Sequence, residues 1–192
     1  MRKKNGKTLI LTLAVFFLGC GYSLRQTLPP PEADLAQIKT IVVAPFANLT
    51  GTKDAHKVIV GLLDEVLVSG GKYSSVSNDL VLKAIYKICA NGAVIDRTQA
   101  QKLGQSLKAD AVIIGTVSEY WYQEEQKYYP DREPAVGITA RLVDVKTGAV
   151  IAATSVSKTG GGAFQYLFSD NAGQLHQVAK KASEEIINAL LP

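Results

Sequence analysis

Apolar residues are arranged in two ways along this 192-residue chain, as one unbroken run near its start and as periodic patterns after it. The run covers residues 9–18 and follows four basic residues with no acidic one among them. A basic segment followed by a short apolar one is typical of a secretory signal peptide. About ten residues at about 1.5 Å each cannot cross a bilayer core of about 30 Å. We therefore predict a signal peptide over residues 1–19.

The periodic patterns predict strands and helices from residue 38 onward. β-Branched runs or apolar–polar alternation predict strands at 39–46, 73–77, 109–122, 136–143 and 149–156. Apolar residues three or four apart predict helices at 54–69, from 78, from 98 and at 171–191. Asn48, Thr50 and Asp54 are candidate caps of the first helix, and Thr98 of the third. This order predicts a single α/β domain over residues 38–192, a mixed β-sheet covered by helices.

The segment between the signal and the domain, residues 20–37, has a different composition. It contains Pro29, Pro30 and Pro31 and few apolar side chains. Proline removes a backbone donor and favours an extended chain. We therefore predict an extended tether that forms neither a helix nor a paired strand.

The end of the apolar run resembles the lipobox of bacterial lipoproteins. Its residues are Phe17-Leu18-Gly19-Cys20. The resemblance implies signal cleavage between Gly19 and Cys20 and attachment of diacylglycerol, with further acyl chains such as palmitate, at Cys20. Each buried methylene contributes about 0.8 kcal/mol to such an anchor. Gly21 resembles the residue that sorts these proteins to the outer membrane, facing the periplasm. The alternative is an ordinary signal peptide with an incidental cysteine.

Charge and cysteine content argue against a nucleic-acid-binding protein and against a disulfide-stabilised one. The 21 Lys and Arg exceed the 17 Asp and Glu, which gives a formal net charge of +4. Four of the basic residues lie in the predicted signal, so the remainder holds 17 of each sign. We predict no nucleic-acid partner because the basic excess that such binding needs is missing. If Cys20 is acylated, Cys89 has no disulfide partner, and we expect a buried small hydrophobe.

The sequence does not contain the residue spacings that common enzyme motifs require. The Gly-Gly-Lys at 70–72 is followed by Tyr rather than Ser or Thr, so it does not complete a phosphate-binding loop. His56 and His176 lack a nearby Cys or second His for a zinc site. We interpret Asp96 and Asp110 as turn and cap residues rather than paired carboxylates. The sequence therefore predicts no enzyme, no metal and no cofactor.

An aromatic cluster is the candidate binding surface. The single Trp and four of the eight Tyr lie close together: Tyr120, Trp121, Tyr122, Tyr128 and Tyr129. In a strand, Tyr120 and Tyr122 share one face and Trp121 takes the other. One alternative is packing within the domain. The other is an interface with a second protomer, a partner protein, a glycan or lipid headgroups, since aromatic side chains bury much area at low entropic cost.

Four motifs in order resemble the CsgG-like family, which includes CsgG, LpoB, the N-terminal domain of TolB and the short exopolysaccharide-secretion lipoprotein PelC. The motifs are Ile41-Val-Val-Ala-Pro-Phe-Ala-Asn48, Val94-Ile-Asp-Arg-Thr98, Ala109-Asp-Ala-Val-Ile-Ile-Gly-Thr-Val117 and Leu142-Val-Asp-Val-Lys-Thr-Gly148. The resemblance implies a non-enzymatic outer-membrane lipoprotein, an accessory in secretion or assembly of an envelope polymer. PelC is similar in size and forms a ring, which implies a homo-oligomer.

Two alternatives stay open. Residues 19–25 with 38–46 are similar to the start of LptE, which implies a role in lipopolysaccharide assembly. The likeness to LpoB implies instead an activator of a peptidoglycan synthase. In each case the implied partners are the outer membrane, through acyl chains on Cys20, and either a second copy of the chain or another envelope protein.

Overall fold

The computed structural model describes residues 23–28, 35–88, 95–124, 132–160 and 171–191, with the backbone alone for 23–28, 122–124, 132–133 and 171–173. Within these residues the chain forms seven strands and four α-helices. The strands are β1 Ser23–Leu28, β2 Thr40–Val43, β3 Ala47–Asn48, β4 Ser74–Ser75, β5 Ala111–Glu124, β6 Arg132–Asp144 and β7 Val150–Thr159. The helices are α1 Ala55–Ser69, α2 Asn78–Ile88, α3 Arg97–Leu107 and α4 Asn171–Leu190.

The strands form one mixed sheet in the order β1-β7-β6-β5-β2-β4, with β3 also pairing with β5. The pairs β1–β7, β7–β6 and β6–β5 are antiparallel. β2 is parallel to both β5 and β4. The predicted fold class, a single α/β domain with a mixed sheet covered by helices, is confirmed.

The two faces of the sheet pack against different helices. In β2, Ile41 and Val43 join one core while Val42 joins the other, because side chains alternate along a strand. The first core includes α1 and α4, and the second includes α2 and α3. β2 and the start of β5 are therefore buried on both faces. This double burial explains their continuous apolar runs, which are typical of parallel strands.

The predicted tether is wrong for residues 23–28, which form the edge strand β1. It pairs with β7 over six residues, from Ser23 opposite Lys158 to Leu28 opposite Ala153. β7 is the last strand of the hairpin, so its outer edge offers unpaired N–H and C=O groups. A segment of mixed composition can satisfy them because backbone groups supply the ladder. The three prolines follow β1 in sequence and lie outside the described residues.

The starts of two helices differ from the prediction. The cap of α3 is Asp96, not Thr98: its carboxylate accepts the Gln99 N–H at 2.7 Å, and the Gln99 side chain accepts the Asp96 N–H at 2.9 Å. This is a capping box, which the Asp-x-x-Gln spacing could have revealed. Asp54 precedes α1 in a left-handed conformation without a side-chain cap, and its carboxylate instead pairs with Lys57 at 2.9 Å.

Asp110 fixes the parallel register of β2 against β5. Its Oδ2 accepts the backbone N–H groups of Lys39 at 2.9 Å and Thr40 at 2.8 Å. Its own N–H donates to the Thr40 carbonyl at 2.8 Å. Asp110 thus joins the starts of β2 and β5 by hydrogen bonds, and Asp96 caps α3, so each carboxylate has a structural role. The interpretation of Asp96 as a cap residue is confirmed, whereas Asp110 joins two strands instead of capping a helix or a turn.

Candidate interaction surface

One part of the sheet extends beyond the helices that cover its second face. α2 and α3 pack over β2, the start of β5 and the end of β6, through residues such as Val42, Val112 and Val143. Farther along β5, β6 and β7, the same face carries mainly small and polar side chains. We call this group the open sheet face: Thr116, Ser118, Glu119, Trp121, Gly137, Thr139, Arg141, Ser155 and Ser157. Apart from Gly137, these residues are exposed or half-buried.

Hydrogen bonds across the strands fix part of this surface. Gly137 lies opposite Glu119 on one side and Ser157 on the other. A Cβ on Gly137 would lie 2.6 Å from the Ser118 Oγ and 3.1 Å from the Glu119 Cβ. The glycine therefore leaves room for Glu119 to reach across it, and the Ser157 Oγ donates to Glu119 Oε2 at 3.0 Å. The carboxylate keeps acceptor capacity for a partner after this bond.

A β-bulge decides which aromatic side chain is exposed. The register of β5 against β6 shifts between Val117 and Glu119. Val117 points into the first core. Strict alternation from Val117 would turn Trp121 inward, but the extra residue turns Tyr120 inward instead. Tyr120 is 9% exposed and belongs to the first core, whereas Trp121 is 51% exposed.

The predicted site residues therefore have different positions. Trp121 lies on the open sheet face, whereas Tyr120 lies in the first core. The backbone of Tyr122 continues β5. The other candidates lie outside the described residues: Gly19, Cys20, Cys89, Tyr128 and Tyr129. Cleavage and lipidation at Gly19 and Cys20 stay predictions, as does the interface role of the aromatic cluster.

Metal binding and membrane spanning are two further properties that the described residues could confer. In these ranges no three side chains among His, Cys, Asp and Glu come close enough to hold a metal ion. None of the helices in the described part of the chain combines the length and the apolar character needed to span a bilayer. The open sheet face carries the exposed Trp121 and Arg141, two residue types that are enriched at protein interfaces.

The fold assigns the chain to a class of single α/β domains with helices on both faces of a mixed sheet. Its structure is similar to that of PelC from Paraburkholderia phytofirmans, solved as a dodecamer, with a TM-score of 0.60 and 24% identity over 88% of this chain and 98% of that one. A variant PelC dodecamer gives a TM-score of 0.62 with 22% identity, over 88% and 99% of the two chains.

A second similar structure is the lipoprotein GNA1162 from Neisseria meningitidis, with a TM-score of 0.52 and 24% identity over 78% of this chain and 99% of that one. No protein-family model matches the sequence, and no curated protein matches it. At these identities the likeness concerns the fold. The predicted resemblance to the group that includes PelC is thus confirmed at the level of fold.

Proposed function

We propose that this protein is a non-enzymatic lipoprotein of the bacterial outer membrane that faces the periplasm and acts, as an oligomer, in secretion or assembly of an envelope polymer. The observation that carries the proposal is the fold, shared over 88% of this chain with a protein solved as a dodecamer. The likeness to GNA1162, described as a lipoprotein, supports an envelope location. The predicted acyl chains on Cys20 would supply the anchor.

The open sheet face supports the oligomeric part of the proposal. Interfaces combine a few large aromatic anchors with a polar rim, and tryptophan is frequent among the residues that contribute most to binding. Trp121 is half exposed, and Glu119, two residues before it on β5, accepts a hydrogen bond from Ser157. A neighbouring protomer that covers Trp121 would remove apolar area from water, and the hydroxyl groups of the open sheet face would bind polar atoms of the same neighbour.

The experiment is a mass measurement by light scattering or native mass spectrometry on the lipidated protein in mild detergent. A soluble form beginning at Gly21 is measured beside it, and this form retains β1. We expect a discrete oligomer of high copy number. Trp121→Ala should shift it toward smaller species, because loss of an interface anchor costs about 2 kcal/mol or more per contact.

Tyr86→Ala is the matched control for Trp121→Ala. Tyr86 is 82% exposed on α2 and lies outside the open sheet face, so its loss should leave the mass unchanged. A monomer in both the lipidated and the soluble form would overturn the oligomeric proposal. It would favour the monomeric alternatives, an activator like LpoB or an assembly factor like LptE.

Lipidation has its own test. Cys20→Ala should abolish incorporation of labelled palmitate and leave the signal uncleaved, because the thiol is the predicted acceptor and cleavage depends on that modification. The measurement is metabolic labelling followed by membrane fractionation. Cys89→Ala is the control and should be labelled normally. Palmitate incorporation into the Cys20→Ala protein would contradict the predicted anchor.

A further inference from the structure

Four neighbouring strands each carry a lysine at the same end of the sheet. The order β4-β2-β5-β6 places these strands side by side. Each lysine lies within three residues of its strand: Lys72 before β4, Lys39 before β2, Lys108 before β5 and Lys146 after β6. We call these four side chains the lysine row. All four are exposed, so this end of the sheet presents one ammonium group per strand.

Backbone hydrogen bonds hold the four positions together. The Ser74 N–H donates to the Lys39 carbonyl at 2.8 Å, which joins the segments before β4 and β2. The Val145 N–H donates to the Asp110 carbonyl at 2.9 Å, which joins the end of β6 to the start of β5. Asp110 Oδ2 in turn accepts the Lys39 N–H at 2.9 Å. Adjacent strands lie about 4.8 Å apart, so the row spans about 14 Å.

Nearby carboxylates balance part of the charge of the row. The two that are nearest to it in sequence, Asp110 and Asp144, each accept hydrogen bonds from the backbone. Within the ranges that the structure describes, Lys39, Lys108 and Lys146 form no ion pair. Four positive charges therefore lie beside two negative ones. A cluster with an excess of one sign attracts a ligand of the opposite sign.

Helix ends explain two of the four lysines. Lys72 and Lys108 follow the carboxyl ends of α1 and α3, where a positive charge complements the helix dipole. Lys39 follows a short 3-10 turn at Leu35–Gln37, and Lys146 follows β6, so neither lies at the end of an α-helix. A bound anion that extends across the four strands would account for all four positions.

The row lies at the far end of the sheet from the predicted lipid anchor. Ser23 begins β1 three residues after Cys20, and three residues extend at most about 11 Å. Ser23 pairs with Lys158 near the end of β7, whereas β7 begins at Val150 beside the end of β6. The length of β7 separates the two ends by about 30 Å. With Cys20 acylated, the row therefore points away from the membrane, which argues against lipid headgroups as its ligand.

The surroundings of the row favour a carbohydrate over a protein ligand. Protein interfaces are enriched in aromatic residues and depleted in lysine. The apolar residues next to the lysines in sequence are covered: Ile38, Ala109 and Val145 are buried, and Tyr73 and Leu107 are half-buried. Single-stranded nucleic acids bind by stacking on exposed aromatic side chains, which these neighbours do not supply.

We propose that the lysine row binds a linear anionic polysaccharide, with one sugar unit per strand and its carboxylate groups spaced along the row. Carboxylates form charge-assisted hydrogen bonds with ammonium groups. The spacing of the strands is close to the length of a sugar unit in an extended chain. The inference rests on the proposed function, because it names the class of envelope polymer that the protein would bind.

The test is isothermal titration calorimetry of the soluble form beginning at Gly21 with an oligogalacturonate long enough to span the row. We expect saturable binding that weakens as salt is added, because ions screen exposed charges. Lys39→Gln combined with Lys108→Gln should weaken binding at least about tenfold, or about 1.4 kcal/mol. The fully methyl-esterified oligomer keeps the sugar chain without its charges and should not bind.

Lys53→Gln combined with Lys57→Gln is the matched control. This pair removes the same number of positive charges from exposed positions near the start of α1, at the other end of that helix from Lys72. Binding of the oligogalacturonate should be unchanged. Urea denaturation of each double variant establishes that the protein is folded.

An absence of binding to the folded protein would overturn the inference, and so would equal losses of binding in the two double variants. Tighter binding of polyglutamate or oligothymidylate of the same charge would overturn the assigned class of polymer. Binding to a protein that proves monomeric would support the lysine row and contradict the oligomeric proposal. A discrete oligomer that does not bind would overturn the row alone, so the two failures are distinguishable.

Discussion

Replacing Gly115 with alanine should lower the free energy of unfolding by about 3 kcal/mol, the upper range for inserting a methyl group into a packed core. Gly115 lies in the middle of β5, where the Phe46 ring packs on the sheet. A Cβ at this position would lie 2.3 Å from Phe46 Cε2 and 2.4 Å from the Thr139 carbonyl oxygen. The ring can move only at the expense of the first core, and the carbonyl belongs to the β5–β6 ladder.

Urea denaturation followed by circular dichroism measures this loss. Gly61→Ala is the matched control, because Gly61 lies in α1 with no atom within 4 Å of a new Cβ. That substitution should stabilise the protein by about 0.5–1 kcal/mol, since alanine favours the helix. Adding Phe46→Leu to Gly115→Ala should recover part of the loss through coupling between neighbouring sites. An unchanged midpoint for Gly115→Ala would contradict the packing described here.

The fold could be predicted from the sequence where one physical signal dominated. The strands at β2, β5, β6 and β7 and the helix Asn171–Leu190 were recognisable because burial sets an apolar period of two or close to four. β5 and β6 run beyond their predicted ends, to Glu124 and from Arg132, because the backbone pairing continues where the apolar alternation stops. The period of apolar residues reflects which side chains are buried, so it does not show where backbone pairing ends.

The candidate surface was predicted only in part, for a different reason. Strand alternation places Tyr120 and Trp121 on opposite faces, and the structure agrees. Which of the two is buried depends on the β-bulge after Val117. The bulge changes the backbone register, and no residue type in this stretch indicates its position. The sequence does not indicate the cleft between β2, α1 and α2, because this cleft depends on the chain leaving β2 and β4 toward opposite faces of the sheet, which no local motif encodes.

The edge strand β1 was missed because the composition of residues 23–28 does not indicate a paired strand. Its removal should produce the second large loss of stability. A soluble form beginning at Leu35 should be less stable than one beginning at Gly21 by about 2–4 kcal/mol. The loss is that of several backbone hydrogen bonds, each contributing about 0.5–1.5 kcal/mol. Among the described strands, β1 pairs with β7 alone. The shorter form should therefore unfold at lower urea concentration while α1, α2 and α3 remain unchanged in the native state.

Removing β1 should also change how the protein associates. The freed edge of β7 would present unpaired N–H and C=O groups, which are a template for pairing with another chain. We expect faster amide hydrogen exchange in Val150–Thr159 of the shorter form, and concentration-dependent association that differs from the oligomer proposed for the longer one. Gln26→Pro in the form that begins at Gly21 is the control for chain length, since it keeps every residue position of β1 and removes one backbone donor. If all three forms had equal stability and equal protection in β7, residues 23–28 would behave as the tether that their composition suggests, and the sheet would end at β7.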